Sequence, residues 1–532
     1  MKKLITTTGM LLCFVSVFAG GLLTNGNQSA QYLRMLSRNA STNYDAVYFN
    51  PAGLMKMENG LFIAIQNQML LQTKTIVSGY PLLNSSTYEG EIKVPVFPTA
   101  YAIYKMDRFA FSLGFGPNSG GGSAEFNKGL PSFEKNISTL VPKLAGLKAL
   151  GQNVTNYKTD ISFKGESVFW GIQAGVSYKI NEIFSVYGGA RYVPAQNNYT
   201  GYIKNIQLEV NGQFKNASTF LTGEMAPLFS NLATQAAGAA SSVQPLITGG
   251  AGNYTLDQVL AAGKITSVQH DQLVGGLLNL GLTQTEINAM PITTVQSKYT
   301  AGAATLTTKA ATMNATGAAL TDKLVDVKQT GSGITPIIGA NISPFNGLNI
   351  GIKYEFKTKL TLTNSTKADG TGKFPDKVET SSDIPALFSI GADYKLFKKF
   401  DFSVSYNNYH DKGVDWGKNI RTIDHNGWEM AFGGQYQVCN YFAVSMGYLR
   451  TVMGISQQFN SDFSFYSNSN TFGGGFEIKP TANLTVDLGA LITNYDDAHK
   501  SFTDPVVGNY TETYKKHNVA YAIGLGYRFG KL

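Results

Sequence analysis

The one enzyme-like constellation in this 532-residue chain is His410-Asp411 with Asp424-His425. A histidine oriented by a carboxylate can act as a general base toward water, provided both groups lie within hydrogen-bond reach. The pairs stand at the two feet of one loop, so they can approach. Polar loop bases are common, however, and neighbours in sequence do not make a dyad. The expectation is a non-enzyme with no catalytic residue. No metal-ligand spacing and no glycine-rich phosphate loop stands out, so neither a metal nor a cofactor is expected. Cys13 falls in the leader and Cys439 stands alone after it, which excludes an intrachain disulfide in the mature chain.

The rest of the chemistry lies in alternation. From His517 to Phe529, Val519, Tyr521, Ile523, Leu525, Tyr527 and Phe529 fall on one face, and Ala520, Ala522, Gly524, Gly526 and Arg528 on the other. One bulky apolar face and one small or polar face suit a membrane barrel wall, apolar toward lipid and small toward a crowded lumen. Composition agrees. Charged residues are 15%, with 57 Gly, 28 Tyr and 32 Phe, yet mean hydropathy is only -0.08, too polar for a bundle of membrane helices. The net charge of +8 comes from scattered Lys and Arg. A nucleic-acid binder would cluster them, so no nucleic-acid partner is expected and contact with anionic lipid is preferred.

Fourteen such segments can be read, from Leu61–Ile65 to the terminal strand, and short turns alternate with long connections. The expectation is an all-β, 14-stranded antiparallel transmembrane barrel in a bacterial outer membrane, monomeric, with both termini periplasmic and the long loops outside. Lys2, Lys3 and the apolar stretch Met10–Phe18 read as a signal peptide over 1–19. Residues 20–58 then precede a barrel over 59–532. The long connections include 117–160 and 205–331, and segments 131–150 and 217–325 read as helical insertions, with helix starts at Thr255 and Thr283. Their apolar residues, among them Leu140, Leu144, Phe220, Leu221, Leu228 and Phe229, form either a capture groove or merely the insertion's own core.

Two irregular motifs invite a mechanical reading. In Asn50-Pro51-Ala52 the proline fixes its own φ and holds the preceding Asn extended. The motif is a turn into the first strand or a rigid latch. Pro117 with Gly120, Gly121 and Gly122 cannot hold an ordinary ladder. Irregular backbone at membrane depth survives only against protein or a water-filled cavity, so either the wall kinks here or the strand has already ended. By parity, Arg191, Lys353, Glu355, Asp393, Asp401, Glu429, Glu477 and Asp487 face the lumen. Buried charges pair, so most should hold an internal segment or line water.

The stretch Arg38–Leu54, with Asn50-Pro-Ala-Gly-Leu54 its most specific element, resembles the N-terminal segment of the FadL family of outer-membrane transporters for long-chain fatty acids and other hydrophobic compounds. Phe115–Phe126 is similar to that family's third strand and loop. The resemblance runs along the whole chain. It implies residues 20–58 as a hatch in the lumen, passive uptake of a hydrophobic ligand caught by outer loops, and sideways exit through a kink at Pro117 and Gly120–Gly122. It also implies a lumen cation on the fifth strand, for which Arg191 is the candidate anchor, although its register is offset toward the strand start. Acid specificity is therefore left open, and the ligand is not named. The alternative is a plugged barrel acting as an adhesin or assembly partner through its helical insertion.

Overall fold

The computed structural model describes residues 29–414 and 423–530. The expected signal peptide lies outside them. Fourteen wall strands follow in chain order: β1 Gly60–Ser78, β2 Thr87–Met106, β3 Phe109–Phe126, β4 Val154–Lys179, β5 Phe184–Val210, β6 Lys323–Ile342 and β7 Leu348–Glu355, which continues as Thr361–Asp369. Then come β8 Leu387–Leu396 (preceded by Glu379–Ser381), β9 Phe400–Tyr409, β10 Gly427–Cys439, β11 Phe442–Val452, β12 Ser469–Ile478, β13 Leu484–Tyr495 (continued by Ala498–Asp504) and β14 Gly508–Phe529. Each runs antiparallel to the next, and β14 closes on β1 with Phe529 opposite Leu61.

The two faces are assigned as the alternation requires. Ile63, Ile65, Tyr521, Ile523, Leu525 and Tyr527 are exposed on the outside, while Ala64, Gln66, Ala520 and Ala522 are buried inside. No described helix is long and apolar enough to cross a membrane. The strands do so instead.

The wall is taller than hydropathy indicates. β4 has 26 residues and β5 has 27, against the roughly 9–11 a strand needs to cross a bilayer. The loops expected at 117–160 and 205–331 shrink accordingly, because β3 runs on to Phe126 and β5 to Val210. Beyond the apolar belt these strands carry Thr, Asn and Lys on both faces. Backbone pairing continues there without a hydrophobic signature.

The chain divides into two compact units. The first is the barrel with the N-terminal segment. Inside it, Ser29 caps α1 (Ala30–Arg34) by accepting a hydrogen bond from the Tyr32 amide. α2 (Ala46–Phe49) follows, then a turn of 3-10 helix, Pro51–Lys56, started by the proline. Arg34 is 1% exposed and donates to Asp487 at 2.8 Å and Glu477 at 2.9 Å, on β13 and β12. Arg38 pairs with Asp45 within the segment. The wall is stripped of side chains where this hatch touches it. A Cβ on Gly351 would clash with the Asn39 carbonyl oxygen, and one on Gly473 with that of Leu33.

The second unit, Leu140–Asp160 with Lys204–Asp322, contains the helical insertion. Thr255, Thr266 and Thr283 each begin a helix with a reciprocal capping box. Val259, Leu273, Leu277, Ile287, Val295 and Tyr299 form its core. The residues considered for a capture groove are not on its surface. Leu140, Leu144, Phe220, Leu221 and Phe229 are buried and Leu228 is half-buried. Leu221 lies against Gly317, and Lys309 covers Phe229. In a segment so poor in charge, apolar side chains at helical spacing leave water by packing on each other.

Two predictions follow from these contacts. Arg34→Met should leave Glu477 and Asp487 buried without their shared cation. It should destabilise the folded form by about 3–5 kcal/mol, read as a lower temperature for the heat-induced gel shift in detergent. In the insertion, His270 bridges Asp271 at 3.0 Å and Asp257 at 2.9 Å. The hydrogen bond to Asp271, followed by that to Asp257, raises its pKa above 6.5. The bridge therefore contributes fully below that pH and is lost as pH rises through the raised value. Protease nicking of the helices at 256–279 should increase across that range, and His270→Gln should abolish the pH dependence.

Candidate functional site

The wall has a long fault between β2 and β3. β2 and β3 pair from Met106–Phe109 up to Ala100–Phe115 and meet again only at Glu91–Glu125. On its other side β3 stays paired with β4, but its register slips between Pro117 and Ser119 and again between Gly120 and Gly122. Pro117 lacks the N–H a ladder needs. Gly120 holds φ +66, and a Cβ there would clash with the Ser167 carbonyl oxygen. β3 therefore does not end at Pro117. It continues through two bulges and opens a gap toward β2.

Behind the gap lies a small void lined by Val47, Tyr48, Tyr101, Asn118, Gln173 and Arg191 among others. A Cβ on Gly114 of β3 would touch the Val47 side chain at 3.0 Å, and Gln173 donates to the Val47 carbonyl at 2.6 Å. The hatch thus meets the kink through Val47 and Tyr48. The Asn50-Pro51-Ala52 turn, expected against Pro117 and Gly120, makes its hydrogen bonds elsewhere. Asn50 donates to Asn341 of β6 at 2.8 Å and to the Ser41 carbonyl at 3.0 Å. The Pro51 and Ala52 carbonyls accept from Ser177 of β4 and Ser185 of β5. The turn braces the hatch, and the helix before it faces the fault.

Arg191 does not offer a free guanidinium. It is 2% exposed, binds Glu355 through two hydrogen bonds of 2.7 and 3.0 Å, and donates to Asn118 of β3 and Gln173 of β4. Lys353 donates to the same carboxylate at 2.7 Å and to the Tyr48 carbonyl at 2.8 Å. The Tyr48 ring lies 4.6 Å from the Arg191 guanidinium and 4.7 Å from the Lys353 ammonium. The result is a continuous polar link from hatch to β7, β5 and the kink. As an anchor for an acidic ligand Arg191 is already occupied. Parity identified Arg191, Lys353 and Glu355 as lumen-facing, but Val47, Tyr48, Asn118 and Gln173 carried no distinguishing signal.

A second small void is walled by Phe133, Phe163, Tyr202, Phe374 and Phe463. The Phe133, Phe163 and Phe463 rings meet at 5.0–5.4 Å. Lys373 closes over Phe463 and Phe133 at 5.3 and 5.6 Å. Such a pocket holds an apolar body better than a polar one. At the rim, Asp411 accepts from the Gly427 amide and His425 faces the Asn426 carbonyl. Among the described residues no hydrogen bond joins either histidine of the two His–Asp pairs to either aspartate.

No family model matches this sequence, and no curated protein does. Solved structures do match. The crystal structure of a Pseudomonas aeruginosa FadL homologue aligns with 96% of this chain and 100% of its own, at 11% identity and a TM-score of 0.55. The TodX deltaS2S3 mutant, a monoaromatic hydrocarbon channel, aligns with 94% of this chain and 99% of its own, at 12% identity and a TM-score of 0.50. The fold is that of the FadL-type barrel. At such identities the likeness is one of backbone and not of side chains.

The contact between hatch and kink is directly testable. With Cys439 replaced by Ser, Val47→Cys and Gly114→Cys should form a disulfide on mild oxidation, because Cβ separations near 4 Å favour it. Failure to crosslink would mean that the hatch does not rest on β3 in the membrane.

Proposed function

We propose that this protein is a FadL-family channel for passive uptake of hydrophobic small molecules across a bacterial outer membrane. The observation that carries this reading is the unpaired stretch between β2 and β3, backed by a cavity and covered by the hatch. A closed barrel in hydrocarbon satisfies every backbone group. A fault of this length needs a purpose, and a side door into the bilayer supplies one. The ligand enters the aromatic cavity by Phe133 and Phe463, descends past the hatch and leaves between β2 and β3. Transfer out of water is driven by about 0.8 kcal/mol per buried methylene. The solved FadL homologue and the hydrocarbon channel with the same backbone support this reading.

In this reading Val47 and Tyr48 form the cover, and Asn50, Pro51 and Ala52 are its rigid brace. The buried residues of the insertion support a structural cap. The chain works as a monomer in contact with outer-membrane lipid through its apolar belt. Both termini are periplasmic and the insertion is outside.

Two measurements test it. The oxidised Val47→Cys/Gly114→Cys protein should lose uptake of a neutral hydrocarbon such as toluene into cells and recover it on reduction. Unchanged uptake would contradict the side door. A membrane-impermeant thiol reagent applied to intact cells should label Thr305→Cys in the insertion and spare Phe345→Cys in the β6–β7 turn. The reverse pattern would overturn the orientation.

A further inference from the structure

The lumen faces of β4 and β5 place three features in one order. Gly171, Gln173 and Arg191 line the void behind the fault between β2 and β3, and Phe163 and Gly201 line the aromatic void. Between them, on the same faces, stand Phe169, Val193 and Ala195. Leu360, Leu362 and Ile384 pack onto these three, and the six side chains form one dry cluster, each 0–5% exposed. A ligand passing from the aromatic void to the fault meets this cluster on the way.

Leu360 and Leu362 reach the lumen through a bend in the wall. β6 and β7 pair from Ile342 opposite Ile350 to Ile337 opposite Glu355, and again from Thr330 opposite Thr363. Between these points β7 turns inward. The carbonyls of Lys359 and Thr361 lie over Gly333 and Gly331 of β6, where any Cβ would clash with them. β8 follows β7. Thr358 and Ile384 exchange both backbone hydrogen bonds at 3.0 Å, and the Ser382 amide donates to the Leu360 carbonyl at 2.7 Å. The two strands therefore bend as a unit.

Chain length does not force the bend. The paired stretches are separated by six residues on β6, 331–336, and by seven on β7, 356–362. One single-residue bulge would complete the ladder. The interruption also lies at membrane depth, since Ile334 within it is 62% exposed on the outer face. A completed ladder is favoured there because hydrocarbon offers the backbone no partner. The segment thus has two competing arrangements. Inward, it buries Leu360, Leu362 and Ile384; in the wall, it completes the pairing with β6.

We propose that the inward fold of β7 and β8 is a throat in the ligand path, closed as seen and opened when the pair moves into the wall beside β6. Leu360, Leu362 and Ile384 set the girth of the ligand that passes. Their lining is wholly apolar, which suits a hydrocarbon and offers a polar solute no partner. The inference rests on the uptake reading and adds to it a barrier separate from the hatch.

Thr335 of β6 and Thr358, whose hydroxyls hydrogen-bond across the fold, supply a lock. In a Cys439→Ser background, Thr335→Cys with Thr358→Cys should oxidise to a disulfide that holds β7 inward. Uptake of toluene into cells should then fall at least about tenfold, a barrier rise of about 1.4 kcal/mol, and recover on reduction. Leu360→Ala with Ile384→Ala should widen the throat. The rate for 1,3,5-triisopropylbenzene relative to toluene should rise at least about fivefold, or about 1 kcal/mol. The heat-induced gel shift reports whether each variant is folded. Failure to form the disulfide would mean that β7 does not lie inward, and the throat falls. Oxidised protein that takes up toluene at the wild-type rate would overturn the throat and leave hydrophobic uptake standing. Wild-type cells no faster than cells lacking the protein would overturn the uptake reading itself. An unchanged rate ratio in the folded alanine variant would overturn the role of the side chains in selecting girth.

Discussion

Hydrocarbon offers no partner to a backbone N–H or C=O, so a chain that crosses it with strands must close its ladder completely. Much of this protein is arranged around that demand and the places where it is relaxed. Neighbouring strands pair from β1 around to β14, with a long interruption between β2 and β3 and a shorter one between β6 and β7. Pro117 and Gly120 make the fault, since one cannot donate and the other holds a left-handed conformation beside the Ser167 carbonyl. A fault in the wall requires a cover, and the hatch is placed to provide it.

Position at this scale depends on small residues and on charge. Glycines on the lumen face let the hatch backbone approach within contact of the wall, as Gly351 does at Asn39 and Gly473 at Leu33. Buried ion pairs then set its place. Arg34 is held between β12 and β13, and Lys353 reaches from β7 to the Tyr48 carbonyl. Such pairs return little net stability once desolvation is counted, but they punish displacement severely. The hatch is thus located sharply within the apolar core that Leu33, Tyr44, Val47 and Leu54 share with the wall. The same principle applies to Arg191, whose charge is spent on Glu355.

The helical insertion follows different physics. It is an ordinary globular assembly with its own core and capped helices. Thr255 and Thr283 were legible as helix starts because a capping box is written within four residues. Whether Phe220 and Phe229 would face outward or inward was not legible. Helical spacing shows that a face is apolar, and only the packing partner decides whether that face is covered.

The same distinction divides the whole protein. Sequence alone determined the fourteen wall strands, the direction in which their apolar faces point and which charges enter the lumen. Those are period-two properties of single strands, readable without knowing the neighbour. It also marked Pro117 and Gly120 as unable to hold a regular ladder, because that inability belongs to the residues themselves. Tertiary structure decided the rest. The strands run on above the belt because pairing, which needs no hydrophobic residue, is set by the strand alongside. Val47 rather than Asn50 meets the kink because the rotation of the hatch depends on contacts with β4, β5 and β6 together. Glu355 reaches Arg191, and Lys74 comes to face Lys516, only because barrel closure sets the register between strands distant in the chain. No local pattern encodes that register.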